Sequence, residues 1–271
     1  MILNLSKMVD ILTSSNQKIM MVMLKIGLKQ TFGGDEEIEH MKQRLLMRVE
    51  RKEFKLLKDS GYEFDDPQEI VDLFEEKLST YCGSKYAVVL DNCTDALFLC
   101  LKYLKQSSYV ELPKQTFISL PSLSIQSNHS IKFKDVEWNG YYQIKPYNLY
   151  DCAHYLKKDM YIEDSYMCMS FHYNKPLKMT KGGVVLLNDK DAYDWLRTIR
   201  YSGRNLSSGV WYKDDTPTML GYNMYMPPEH AADGILLFDE LIKENNTNIK
   251  TGSYKDYWDL SKLDIYKKHI I

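Results

Sequence analysis

The stretch YAVVLDNCTDALFLCLKYL, residues 86–104, decides how the rest of the chain is read. YAVVL (86–90) is a short, continuous apolar run of strand length, DNCT (91–94) has turn composition, and DALFLCLKYL (95–104) is helical with no polar stripe to speak of. A strand apolar on every position and a helix apolar nearly all round are both buried on more than one side, as in a β-turn-α unit of an α/β sheet. The pattern recurs downstream: YVEL (109–112), a segment beginning TFISL (116–120), IKFKDV (131–136), NLYD (148–151), MCMSF (167–171) and VVLL (184–187), then a helix over DKDAYDWLRTIRYSG (189–203). Strands of this kind alternating with helices predict a three-layer α/β/α domain around a mostly parallel sheet, with ligands gathering at the carboxyl ends of the strands.

Upstream, Pro67 opens a helix that Gly83 closes, with Ile70, Val71, Leu73, Phe74 and Leu78 on its apolar face. Before it, residues 36–59 place Ile38, Met41, Leu45, Leu46 and Val49 on one helical face. Residues 1–35 are Met-rich, weakly patterned and left unassigned. The chain of 271 residues carries 35 Lys+Arg against 37 Asp+Glu, a net charge of −2, and 44% hydrophobic residues. That balance argues against a basic nucleic-acid binder and against a disordered chain. The apolar run Ile19–Leu24 is closed by Lys25, far short of the roughly 20 residues that cross a bilayer, and no signal-peptide cleavage pattern follows it. The cytoplasm is the expected compartment. Five cysteines, an odd number without C-x-x-C spacing and set in apolar segments, read as reduced buried thiols.

Three stretches at predicted strand ends carry chemistry. Asn92-Cys93-Thr94-Asp95 puts a hydroxyl and backbone N–H groups at a helix N-terminus, a cradle for phosphate or simply an N-cap made by Thr94. Asp151-Cys152-Ala153-His154 puts an acid at a strand end near an imidazole. The pair could bind metal, could hold a heterocycle by its ring nitrogen and its face, or Asp151 could merely cap the following turn. No H-E-x-x-H or Cys/His cluster supports a metal. Ser170-Phe171-His172-Tyr173-Asn174-Lys175 places a lysine just after a buried strand among aromatics, where desolvation lowers its pKa and favours Schiff-base chemistry; a surface loop lysine is the alternative. Together they supply what an aldehyde cofactor with a phosphate and a pyridine nitrogen requires. A dinucleotide fold is disfavoured because no G-x-G-x-x-G follows the first strand.

These residues resemble the DegT/DnrJ/StrS-type, pyridoxal-phosphate-dependent nucleotide-sugar aminotransferases of fold type I, which are aspartate aminotransferase-like. The similarity runs from about Phe74 to Leu241. It includes FEEKLSTYCGSKYAVVLDNCTDAL, P-K-Q-T-F (113–117), D-C-A-H (151–154), S-F-H-Y-N-K (170–175), G-G-V-V (182–185), T-I-R-Y-S-G-R (198–204) and G-Y-N-M-Y-M-P-P-E-H-A-A (221–232). The resemblance implies that Lys175 binds the cofactor covalently and shuttles the proton, that Asp151 pairs with the pyridine nitrogen, and that His154 contacts the cofactor, with Phe117 opposite. Thr94, with Asp95 in the same turn, and Ser170 would hold the phosphate, and Asn223 would reach it from a neighbouring subunit, implying a homodimer. Lysine at 175, where the sugar dehydratases of the group carry histidine, favours transamination. By resemblance glutamate is the amino donor and a 3- or 4-keto-deoxy sugar on a nucleotide diphosphate the acceptor. Cys93 stands where the family has Gly, Lys181 replaces the Glu of G-E-G-G, and Tyr225 the Arg of N-Y-R-M. The implied division is a cofactor-binding large domain over 36–245 and a short extension, 246–271, in place of the family's small domain. That shortening motivates the alternative of a degenerate relative that binds cofactor or nucleotide sugar as a sensor or partner subunit. Tyr141, Tyr142 and Tyr212 are candidates for stacking on a nucleobase.

Overall fold

The computed structural model describes residues 51–204, 216–244 and 248–271. Residues 36–50 of the helix expected over 36–59 and the stacking candidate Tyr212 lie outside the described residues; of the rest of that range, α1 (Lys52–Asp59) is helical and Arg51 before it is not. Helix α2 (Pro67–Cys82) begins as its sequence dictates: Asp66 accepts the N–H of Gln68, Pro67 takes the first turn, and Gly83 ends the helix at φ 85°, a left-handed conformation that suits glycine. Then come β1 (Tyr86–Leu90), α3 (Cys93–Leu104), β2 (Tyr109–Pro113), α4 (Ser119–Gln126) and β3 (Ser130–Lys134). Three short strands follow, β4 (Tyr142–Ile144), β5 (Leu149–Asp151) and β6 (Tyr155–Lys157). The remaining elements are β7 (Tyr166–Ser170), β8 (Gly183–Leu187), α5 (Lys190–Ile199), α6 (Pro228–Lys243) and β9 (Asn248–Lys250).

The main sheet has the order β1-β8-β7-β5-β4. Parallel β2 and β3 continue it beyond β4 through the antiparallel bridge Glu111 to Lys145. β8 is antiparallel to both β1 and β7, β7 is parallel to β5, and β4 is antiparallel to β5. β1, β2, β3, β5 and β7 therefore share one direction, as the alternating pattern predicts, and only β4 and β8 run against it. The continuous apolar run VVLL does not report direction, which is why the reversal of β8 is invisible in its composition.

Burial on both sides of the sheet explains those runs. Val88, Leu90, Cys168, Val185 and Leu187 face a core shared with α3, α4 and α5. Ala87, Val89, Met167, Met169, Val184 and Leu186 face the opposite core, shared with α1, α2 and α6. This is the expected three-layer arrangement. All five cysteines are unpaired and buried. No helix among the described residues is long and apolar enough to cross a membrane.

β1 lies at the edge of the sheet; beside Leu90 its outer side is covered by an antiparallel bridge to Tyr225, and the outer backbone groups of Val89 are capped by charge. The N–H of Val89 donates to Glu75 Oε1 at 2.8 Å, and Arg200 Nη1 donates to both the Val89 carbonyl and Glu75 Oε1 at 2.5 Å. Both side chains are buried. This pair fixes the strand that delivers the turn at 91–94.

Candidate active site

β1, β5 and β7 run in the same direction, so Asn92 just past Leu90, Asp151 at the end of β5 and Ser170 at the end of β7 all open into one cavity of about 630 Å³. Six of the eight residues nominated from sequence line it: Thr94, Phe117, Asp151, His154, Ser170 and Lys175. Asp95 and Asn223 do not. Asp95 turns back into the helix cap, accepting from Asn92 Nδ2 at 2.7 Å, and Asn223 is exposed, in a backbone bridge with Tyr201.

At the turn, the N-cap is Asn92 and not Thr94: its side chain accepts the N–H of Asp95 at 2.8 Å. The helix thus starts at Cys93, and the Thr94 hydroxyl is released to pair with Ser119 Oγ at 2.9 Å. Among the described residues the N–H groups of Cys93 and Thr94 meet no acceptor, and they sit at the positive end of α3. Two hydroxyls, two free amides and Ser170 across the cavity form a donor set suited to a phosphate. Gly183 makes the turn possible, since a Cβ there would lie 2.5 Å from the carbonyl carbon of Asn92 and from the nitrogen of Cys93. Lys181, the charge reversal against the family pattern, pairs with Asp91 at the rim.

Asp151 does cap its turn, accepting from the Ala153 N–H at 2.9 Å, and it also faces the cavity. Its other oxygen accepts from the Tyr142 hydroxyl at 2.8 Å, and Tyr142 in turn lies 2.5 Å from the Thr116 hydroxyl. Burial and Asp151 hold the Tyr142 phenol well above its usual range, so it stays a donor toward Asp151; its one proton is then spent, and Thr116 must donate to it. Burial pushes the Asp151 carboxyl up, while the Ala153 N–H, Tyr142 and Lys175 pull it back. A cation against this carboxylate, such as a protonated ring nitrogen, would offset its desolvation.

Lys175 ends the turn after β7, held by its N–H on the carbonyl of His172 at 2.8 Å. It is buried, and burial lowers the ammonium pKa against the opposing pull of Asp151, Cys93 and Asp256. Its Nζ lies 2.5 Å from His154 Nε2. Burial and Lys175 push the His154 imidazole down to about 4, so it is neutral near pH 7. An acid, an amine whose pKa burial lowers, a neutral imidazole and a phosphate cradle in one cavity match the donor requirements of pyridoxal phosphate. Among the described residues no group of three His, Cys, Asp or Glu could hold a metal ion.

Sequence reading missed Ser119, Trp138, Thr251, Asp256 and Tyr257, which also line the cavity. It named Tyr142 as a stacking residue, whereas the structure buries it as a hydrogen-bond partner of Asp151. Tyr141 stacks on Tyr155, with ring centroids 5.0 Å apart, as ordinary packing.

A search of curated proteins found no match for this sequence. Solved structures do match. AtS13 from Actinomadura melliaura is 16% identical with a TM-score of 0.59, the match covering 73% of this chain and 67% of that one. Helicobacter pylori PseC, an aminotransferase involved in the biosynthesis of pseudoaminic acid, is 14% identical with a TM-score of 0.53, over 72% of this chain and 64% of that one. A variant of the GDP-4-keto-6-deoxymannose-3-dehydratase ColD with bound GDP-perosamine is 18% identical with a TM-score of 0.54, over 73% and 67%. The chain spans between 61% and 67% of the lengths of such structures, and identities this low speak for the fold. The model of the DegT/DnrJ/EryC1/StrS aminotransferase family matches residues 51–151 and 152–256, most of the sequence, and this chain belongs to that family.

Proposed function

We propose that the chain is a pyridoxal-phosphate-dependent aminotransferase of the cytoplasm. It would move an amino group, with glutamate as donor, onto a 3- or 4-keto-deoxy sugar carried by a nucleotide diphosphate. The observation that carries this reading is that the Lys175 amine shares one cavity with the Asp151 carboxylate and with the hydroxyls and amides at the start of α3. When bound, the cofactor supplies an aldehyde that accepts the amino group and a ring that draws off the electron pair left by a departing proton.

The chain's own residues then have distinct tasks. Thr94, Ser119, Ser170 and the first-turn amides of α3 anchor the phosphate. Asp151, braced by Tyr142 and Ala153, holds a proton on the ring nitrogen. Lys175 accepts and returns the substrate proton at Nζ, a role for which its lowered pKa suits it. His154 fixes the amine's direction through Nε2. Phe117 stands half exposed at the mouth, positioned to cover a bound ring. Lysine rather than histidine at 175 supports transamination over dehydration, by resemblance to the two branches of the family. We extend the proposal to a homodimer in which Asn223 of the partner subunit reaches the phosphate, since Asn223 of this chain lies outside its own cavity and is exposed.

The test is to add pyridoxal phosphate, reduce with borohydride and map the labelled peptide, then add glutamate to unreduced protein and follow the absorbance. Label on Lys175 and conversion to the pyridoxamine form support the proposal. Label elsewhere, or none, overturns it. Label on Lys175 without conversion favours the binding-only relative.

A further inference from the structure

His154 is held from a part of the chain that the sequence motifs do not include. Its Nδ1 lies 3.0 Å from Thr251 Oγ1 and its Nε2 lies 2.7 Å from the Tyr257 hydroxyl. Between them Gly252 sits against the imidazole, and a Cβ there would come within 2.4 Å of Nδ1. The segment carrying these residues is fastened at several points. β9 pairs with β6, the N–H of Thr251 donates to the carbonyl of His154 at 3.0 Å, and that of Gly140 to Gly252 at 2.9 Å. Further on, Tyr254 N–H reaches the carbonyl of Trp138 at 3.2 Å, and Gln115 Nε2 reaches that of Tyr257 at 3.0 Å. The Tyr257 ring packs against Trp138 with centroids 5.6 Å apart.

A proton inventory fixes the direction of these bonds. An ammonium has only donors, so with Lys175 protonated, His154 Nε2 is the acceptor; Nδ1 then carries the proton and donates to Thr251. The Tyr257 phenol, which burial, Asp151 and Asp256 raise to about 12, also donates to Nε2. Nε2 has one lone pair and two donors. When the Lys175 amine is engaged elsewhere, Tyr257 alone keeps Nε2 occupied.

We propose that residues 250–257 form a positioning clamp for His154, Thr251 on Nδ1 and Tyr257 on Nε2, which keeps one tautomer and one ring orientation whatever Lys175 is bonded to. The family match ends at Asp256, one residue short of Tyr257. The clamp rests on the reading of His154 as a residue that contacts the cofactor, yet it can be measured without cofactor. The charged and titratable groups facing the ring are Lys175, Asp256 and Tyr257.

The experiment is nitrogen NMR of the full chain labelled with 15N-histidine, with His154→Gln to assign the signals, before and after adding pyridoxal phosphate. Wild type should show His154 protonated at Nδ1 alone, in both states. Tyr257→Phe keeps the ring against Trp138 but removes the donor that stabilises neutral His154, so its titration midpoint should rise by about one pH unit. Thr251→Val should move the tautomer toward protonated Nε2. Signals of two interconverting tautomers in wild type overturn the clamp, and so do unchanged tautomer and titration in the variants. If Tyr257→Phe does not fold, the wild-type spectrum and Thr251→Val decide. Borohydride labelling of Lys175 reports separately on the cofactor reading, so either idea can fail while the other stands.

Discussion

Arg200→Met is the sharpest test of how the fold holds the phosphate turn. Arg200 and Glu75 are both buried and bonded to each other, and together they satisfy the outer N–H and carbonyl of Val89, two residues before Asp91. Methionine fills similar volume but leaves Glu75 charged and buried without its main cation, a loss typically of about 3–5 kcal/mol. Arg197, 3.6 Å from the other Glu75 oxygen, offsets part of this, which places the expected loss near the lower end, about 3 kcal/mol. Against a domain stability of about 5–15 kcal/mol that is a large fraction. With a urea slope of about 2–3 kcal/mol per molar, the unfolding midpoint should fall by about 1–1.5 M, read by tryptophan fluorescence. Affinity for pyridoxal phosphate should fall with it, because the strand that positions the Cys93 and Thr94 amides is loosened. Replacing both partners, Glu75→Leu with Arg200→Met, removes the stranded charge and should recover at least half of the lost stability. A single variant within about 0.5 kcal/mol of wild type, or a double variant no better than the single one, would refute the reasoning.

Gly183→Ala puts a methyl group into the backbone of Asn92 and Cys93, so the turn must move; stability should drop by about 1–3 kcal/mol and absorbance titration should show pyridoxal phosphate binding at least about tenfold weaker. Unchanged binding would mean that the turn does not hold the phosphate. Burial and Lys175 hold the His154 imidazole down to about 4 in the folded chain against its ordinary 6.5, so between those values the unfolded chain takes up a proton that the folded one refuses. Stability present above about pH 6.5 is therefore lost on acidification toward pH 4, by up to about 3 kcal/mol. Burial lowers His129 as well, in the same direction, so the contribution of His154 is the difference between wild type and His154→Gln in urea melts across that range. Parallel profiles would sink the assignment.

Elements were legible in the sequence where one interaction dominated. β1, β7 and β8 are apolar throughout because two cores claim their alternate residues, and α2 carries its own start and stop in Asp66, Pro67 and Gly83. β4, β6 and β9 were not legible: each is three residues long, too short to show an alternation, and β6 and β9 exist only because they pair with each other across a long stretch of chain. β9 is exposed at both ends, so no burial pattern marks it. The turn at 91–94 was read correctly as a helix start but with the wrong cap. Asn and Thr are both good N-caps, and the choice of Asn92 rests on Ser119, which gives the Thr94 hydroxyl a better use.

The same distinction separates the halves of the site. Asp151 and Ser170 stand at strand ends and Thr94 in the first turn of the helix that follows one, all of it local information; their convergence follows once the strands are parallel. What surrounds them depends on pairing that no motif displays, within a hairpin for Tyr142 and across the chain for Thr251 and Tyr257. Tyr142 reads in sequence as one more aromatic in a chain with 21 tyrosines, and only the antiparallel pairing of β4 with β5, which sets Tyr142 opposite Asp151, turns it into the acid's hydrogen-bond donor. Thr251 and Tyr257 lie 97 and 103 residues from the imidazole they touch. The groups proposed to do chemistry were thus visible as motifs, because their spacing along the chain is set by the strands that carry them. The groups that set their protonation and direction were not, because a hydroxyl delivered by a hairpin partner or by a distant segment carries no motif of its own, only a place in the fold.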